Sequence, residues 1–252
     1  MAQRIWYLET SLEEIREALA QATVWLIIAP HHDDEIIGCG AFLSFLTSQP
    51  NQSIFIAYAV SGSLGVSGSL SCKEKIEIRE KEARRCCKRL GVRPLFWQLP
   101  FYEVSQQDKK EREISQIDIE IIERSINKIR PDIIFLADEA SDPHGTHGLV
   151  REACFAALRR IKFSGTQFPG TVFGYRVWQE GYESGDLICS FDETVMQEKE
   201  TLLNLYESQI INPAFPHKSL SFLELMKNAD KRSAIRHHAS VLYAECYKKL
   251  SF

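Results

Sequence analysis

Between residues 30 and 40 the chain reads Pro30-His31-His32-Asp33-Asp34-Glu35-Ile36-Ile37-Gly38-Cys39-Gly40. Between 138 and 148 it reads Asp138-Glu139-Ala140-Ser141-Asp142-Pro143-His144-Gly145-Thr146-His147-Gly148. Four of the seven histidines fall in these two windows, each time beside carboxylates. Imidazole nitrogen and carboxylate oxygen are ligands of catalytic zinc, which takes three protein donors and keeps a fourth position for water. A His-x-x-Asp pair turning into a helix can aim both heads at one point, and a histidine from a distant strand end can close the triangle. Adjacent acids also suit the start of a helix on electrostatic grounds alone, and that reading is a full rival for Glu35 by itself. It does not account for the whole His-His-Asp-Asp-Glu run taken with His144 and His147. A dinucleotide reading of Gly38-Cys39-Gly40 fails on two counts. Position 43 is Leu where the third glycine belongs, and the preceding acids would repel a pyrophosphate at the helix start.

The elements around these windows have a regular alternation. Apolar runs at 24–29, 53–60 and 132–137, with a weaker one at 94–97, lack polar alternation, as expected of strands buried on both faces. Helical patterns at 36–46, 73–90 and 113–129 lie between them; Gly91 follows the second and Pro131 the third. Strand–helix–strand order of this kind implies right-handed crossovers and a parallel sheet. After Val150 the pattern loosens, with strand-like stretches at 171–178 and 187–190, a helix over about 193–206, and a tail to Phe252 that reads as helical. The expectation is one α/β domain over residues 1–252, Rossmann-like and doubly wound. It has a mostly parallel sheet, helices on both faces and C-terminal additions. Both histidine windows follow apolar runs, at the carboxyl ends of strands where open α/β sheets bind ligands.

Composition narrows the function classes. The chain has 252 residues, 44% of them apolar, enough for a sizeable core. Its 30 basic and 34 acidic residues give a net charge of −4, which argues against a nucleic-acid binder or a basic membrane-surface protein. Seven cysteines without a C-x-x-C pair fit neither a disulfide framework nor a cysteine zinc finger, and point to a reducing compartment. Cys86 and Cys87 read as packing residues, as do Trp97 and Trp178, while His237 and His238 read as part of a solvated basic face. The start lacks a signal-peptide pattern, and the longest apolar stretch is too short for a bilayer. The expectation is a cytoplasmic protein with no membrane insertion.

The first window resembles the P-H-P-D-D-E-x-x-G-x-G signature of the LmbE-like, PIG-L-type zinc-dependent de-N-acetylases, and Asp142 to His147 resembles that family's D-x-H-P-D-H motif. Further resemblances follow in the family's order: Arg79-x-x-Glu82-Ala83 with Leu90-Gly91, Lys199 through Ser208-Gln209, and Tyr243-Ala244-Glu245-Cys246-Tyr247. The resemblance implies Zn2+, or another divalent metal, held by His31, Asp34 and His147. It implies Asp33 as general base, His144 as electrostatic partner or acid, and Arg79 as a substrate contact. An ordinary helix ion pair between Arg79 and Glu82 is the rival reading of that arginine. The implied function is hydrolysis of an N-acetyl group from an amino-sugar (N-acetylglucosaminyl-type) substrate by metal-activated water. The alternatives are a zinc-containing sugar-binding protein with little catalysis, and an amidase acting on another N-acyl group. The implied partner is a small amino-sugar conjugate, not nucleic acid, and relatives of this length often form homo-oligomers. Two positions depart from the family pattern. His32 replaces a proline, and Gly145-Thr146 replaces Pro-Asp, removing a carboxylate that would orient the histidines. Asp142, Asp138 and Thr146 are the nearby substitutes.

Overall fold

The computed structural model describes residues 4–102, 113–139, 145–165, 170–177, 181–210 and 221–251. At its centre lies β2 (Val24–Ala29), flanked by β3 (Ser53–Tyr58) on one side and β5 (Ile133–Ala137) on the other, both parallel to it. Beyond them β4 (Arg93–Phe96) and β6 (Thr171–Tyr175) continue the parallel set. Then β8 (Tyr243–Lys249), β7 (Leu187–Phe191) and β1 (Trp6–Glu9) extend the β6 edge in antiparallel fashion. The eight described strands run in the order β1-β7-β8-β6-β5-β2-β3-β4.

Alternate residues of the central strands feed two cores, as the pleat requires. Leu26, Ile28, Ile134 and Leu136 join a cluster with Ile122 and Ile126 of α4 (Gln116–Ile129) and Val150, Ala153 and Ala157 of α5 (Thr146–Phe163). Trp25, Ile27, Ile133 and Phe135 join a cluster on the opposite face. That face is covered by α1 (Glu13–Gln21), α2 (Asp34–Ser48), α3 (Cys72–Leu90), α6 (Glu193–Leu203) and α8 (Phe222–Arg236). Helices therefore lie on both faces, and the fold is the expected single α/β domain with a mostly parallel sheet. Cys86 and Cys87 are fully buried packing residues.

Local chemistry sets the helix ends. Ser71 and Glu74 form a reciprocal cap on α3, which stops at Gly91 with φ 75; the positive φ is why glycine serves there. The close approach of α2 explains the glycines that imitate a nucleotide fingerprint. A Cβ on Gly38 would collide with the Tyr175 ring, and one on Gly40 would sit 2.9 Å from Lys199 Cγ. They are packing glycines, seating a helix buried on almost every side.

Two features differ from the sequence-based expectation. β1 and α1 were not legible as elements, and the chain after residue 243 is strand β8, not helix. The first five residues of β8 are all buried, with Glu245 among them, so the polar–apolar alternation that marks a one-sided strand is absent. Among the described residues no helix is long and apolar enough to cross a membrane.

The strand order reverses beside β2. The chain proceeds from β2 outward through β3 and β4, then returns to place β5 on the opposite side. The crevice between the carboxyl ends of β2 and β5 is the topological switch point, the usual ligand position of such sheets.

Candidate metal centre

Both histidine windows open onto that crevice. His31 follows β2, Asp34 is the first residue of α2, and His147 lies in the first turn of α5 beyond β5. Asp34 Oδ2 accepts the backbone N–H of His31 at 2.7 Å, which folds the turn back and brings the carboxylate within 3.2 Å of His31 Nδ1. His147 Nε2 completes the triangle, 3.1 Å from His31 Nδ1 and 3.2 Å from Asp34 Oδ2. Donors bound at zinc's usual 2.0–2.1 Å in a tetrahedron stand about 3.3–3.4 Å apart, so this near-equilateral set has the right dimensions. Asp34 and His147 are buried, and the His31 side chain is 19% exposed, which leaves one side of the triangle approachable.

A carboxylate fixes the second imidazole. His147 Nδ1 donates to Glu139 Oε2 at 2.5 Å, while Glu139 Oε1 accepts the backbone N–H of Val177 at 2.8 Å. This is the outer partner that metal-binding histidines regularly have, leaving the Nε2 lone pair for the ion. Asp34 Oδ1 is buried without a hydrogen-bond partner. A neutral His31 and His147 with an ionised Asp34 would set three lone pairs against one another, an arrangement that a divalent cation relieves. The donor set fits such an ion.

The electrostatics of the ion-free site reflect the same crowding. Burial opposes ionisation of Asp34, yet the adjoining His147 and His31 imidazoles hold its carboxyl well below the usual range. Burial also works against charge on His147, but Asp34 and Glu139 outweigh it and raise its pKa. His31, with desolvation dominant, is lowered.

Three more residues of the first window pack behind the triangle. Asp33 precedes Asp34 with φ 141 and ψ −27, and burial pushes its carboxyl upward, only partly offset by the Arg79 guanidinium. Arg79 is 1% exposed; it donates to the His32 carbonyl and lies 3.4 Å from Asp33 Oδ2. Glu35 is fully buried and pushed up to about 7 by desolvation, against hydrogen bonds from Tyr206 and Tyr58. His32, at the position where the family has proline, stacks on Tyr58 at 4.7 Å and on Phe96 at 5.6 Å.

The structure thus brings His31, Asp34 and His147 together and places Asp33 and Arg79 in contact beside them. His144 and Asp142 lie outside the described residues, as does Trp178. Trp97 is a core residue whose Nε1 donates to Ser125 Oγ at 2.9 Å. The carboxylate that orients His147 is Glu139, which sequence reasoning passed over in favour of its neighbours. Asp138 instead holds Arg151 and accepts the Tyr182 hydroxyl at 2.8 Å. An acid directly after an apolar strand run was the available signal.

Comparison with known proteins bears on the family and the fold. A 28% identical relative from Bacteroides thetaiotaomicron, described as glucosamine-6-phosphate deaminase-like, aligns with 75% of this chain. The chain spans about 36% of that relative's length. The N,N'-diacetylchitobiose deacetylase of Pyrococcus horikoshii has the same fold, with a TM-score of 0.68 at 20% identity, covering 93% of this chain and 86% of its own. So does GalB, the 4-carboxy-2-hydroxymuconate hydratase of Pseudomonas putida KT2440, with a TM-score of 0.64 at 14% identity, covering 91% and 97%. At these identities the likeness establishes architecture and leaves chemistry to the site. Residues 26–158, which carry both histidine windows, match the family described as PIG-L: GlcNAc-PI de-N-acetylase, and the chain belongs to that family.

Proposed function

We propose that the protein is a zinc-dependent hydrolase that removes the N-acetyl group of an amino-sugar substrate. The observation that carries this reading is the meeting of His31 Nδ1, Asp34 Oδ2 and His147 Nε2 at the switch point of a chain of this family. A divalent cation held by these three would supply an activated water and Lewis-acid polarisation of the amide carbonyl. The remaining work falls to the chain. Asp33 accepts the proton of the attacking water, a task suited to a carboxylate whose affinity for protons is raised by burial. His144, assigned through the family motif, stabilises the oxyanion and returns a proton to the amine, which is a poor leaving group until protonated. The resemblance implies a sugar contact for Arg79, but its burial and its approach to Asp33 favour holding that carboxylate in place. A small amino-sugar conjugate met in the cytoplasm, by a homo-oligomer, completes the reading.

The test is a panel of N-acetylated amino sugars, with longer N-acyl analogues, incubated with metal-loaded protein and assayed for released acid. Acetate release that a chelator abolishes and zinc restores is expected. Binding of the sugars without release of any acid would favour the sugar-binding alternative and overturn this one. Release confined to the longer acids would move the activity to another N-acyl group.

A further inference from the structure

Five described non-glycine residues have positive φ. Asn51, Gln98, Arg130 and His238 lie at 48–60°, while Asp33 stands apart at 141°, outside the small left-handed region open to side chains. Such a backbone persists only where its surroundings over-determine it, and two hydrogen-bonded chains converge on this residue. The first holds its backbone: Asp33 N–H donates to Glu35 Oε2 at 3.1 Å, and Glu35 Oε1 accepts hydroxyls from Tyr58, at 2.9 Å, and from Tyr206. The second reaches its carboxylate: Arg79 Nη2 lies 3.4 Å from Asp33 Oδ2, and Arg79 Nη1 lies 3.5 Å from Glu82 Oε2 and 3.4 Å from Ser208 Oγ. Glu82 in turn accepts the backbone N–H and the hydroxyl of Ser208, both at 2.8 Å. The two chains start two residues apart, at the junction of α6 and the short α7 (Glu207–Ile210).

We propose that the Tyr206–Ser208 segment is a clamp that sets the conformation of Asp33. Tyr206 acts through Glu35 on the backbone amide, and Ser208 acts through Glu82 and Arg79 on the carboxylate. These five are positioning residues, and their link to turnover rests on the assignment of Asp33 as the water-activating base. Side chains serving only to pack would hold α7 against α3 without responding at Asp33. The clamp also explains why Arg79 and Glu82 of α3 meet Ser208, far along the sequence, behind one residue of the first window.

The test compares wild type with Tyr206→Phe and Ser208→Ala, which remove single hydroxyls and keep each side chain's bulk, all loaded with zinc. Two quantities are read: hydrogen exchange of the Asp33 amide by NMR, and kcat and KM for acetate release. Tyr206→Phe should speed exchange at Asp33 by about tenfold while Leu26 to Ile28 of β2 stay unchanged. Each variant should lower kcat by about ten- to a hundredfold with KM and metal content retained, as small misplacements of a catalytic group do. Unchanged Asp33 exchange in Tyr206→Phe, or a kcat that stays at the wild-type level in both variants, overturns the clamp. Faster exchange with no acetate released even by wild type supports the clamp and refutes the deacetylase reading alone.

Discussion

Among the described residues, two of the buried clusters of ionisable side chains are built on opposite principles. One is the His31–Asp34–His147 triangle at the switch point. The other, in the antiparallel half, joins Lys199 of α6, Asp230 of α8 and Glu245 of β8. There Lys199 Nζ sits 2.7 Å from Asp230 Oδ2 and 2.7 Å from Glu245 Oε1. Glu245 also accepts the Ala41 and Phe42 amides of α2 at 2.9 Å and the Tyr247 hydroxyl at 2.7 Å. That cluster carries its own cation and closes its hydrogen bonding around it. The triangle, once its imidazoles are neutral, offers three converging lone pairs; one carboxylate oxygen of Asp34 is buried without a hydrogen-bond partner, and among the described residues no lysine or arginine pairs with that carboxylate. Burial and charge are common to both; the source of positive charge separates a brace from a metal site.

The largest effect that follows is at the triangle. His147→Ala should lose the metal and all measurable turnover while remaining folded, as elemental analysis and circular dichroism would show; stoichiometric zinc in that variant would remove His147 from the ligand set. Lys199→Met is the converse experiment. Leaving two buried carboxylates without their cation should destabilise the fold by about 3–5 kcal/mol, read from denaturant unfolding, with metal stoichiometry retained in the folded fraction. A smaller loss should follow at the orienting carboxylate: Glu139→Gln should weaken metal affinity by about 10–100-fold, read by competition with a chelating dye. The mildest perturbation is pH. Because Asp34 and Glu139 raise the pKa of metal-free His147, binding below that pKa must expel a proton. Affinity should therefore rise by about tenfold per pH unit and level off once the imidazole is already neutral. The Lys199 cluster should show no such metal-linked proton release.

What the sequence disclosed follows the same division. β2 was legible to its ends because both faces are apolar and the run is bounded by turn residues. His31 and Asp34 were legible as a pair because they lie on one local turn. Glu139 was not: successive residues leaving β5 point to opposite faces, and alternation alone does not say which of Asp138 and Glu139 meets His147. The Lys199–Glu245 contact was hidden for a different reason. It joins α6 to a strand that reads as helix, so its partners share no local pattern. Arg79 showed its pairing with Glu82 at helix spacing, but its approach to Asp33 depends on how α3 packs across the turn after β2.

The proposed activity requires one divalent ion among His31, Asp34 and His147. Anomalous diffraction recorded on either side of the zinc absorption edge, from crystals of zinc-loaded protein, tests it most directly. A single strong peak is expected about 2.0–2.2 Å from His31 Nδ1, Asp34 Oδ2 and His147 Nε2. No peak at that position, or a peak held by other side chains, would contradict it.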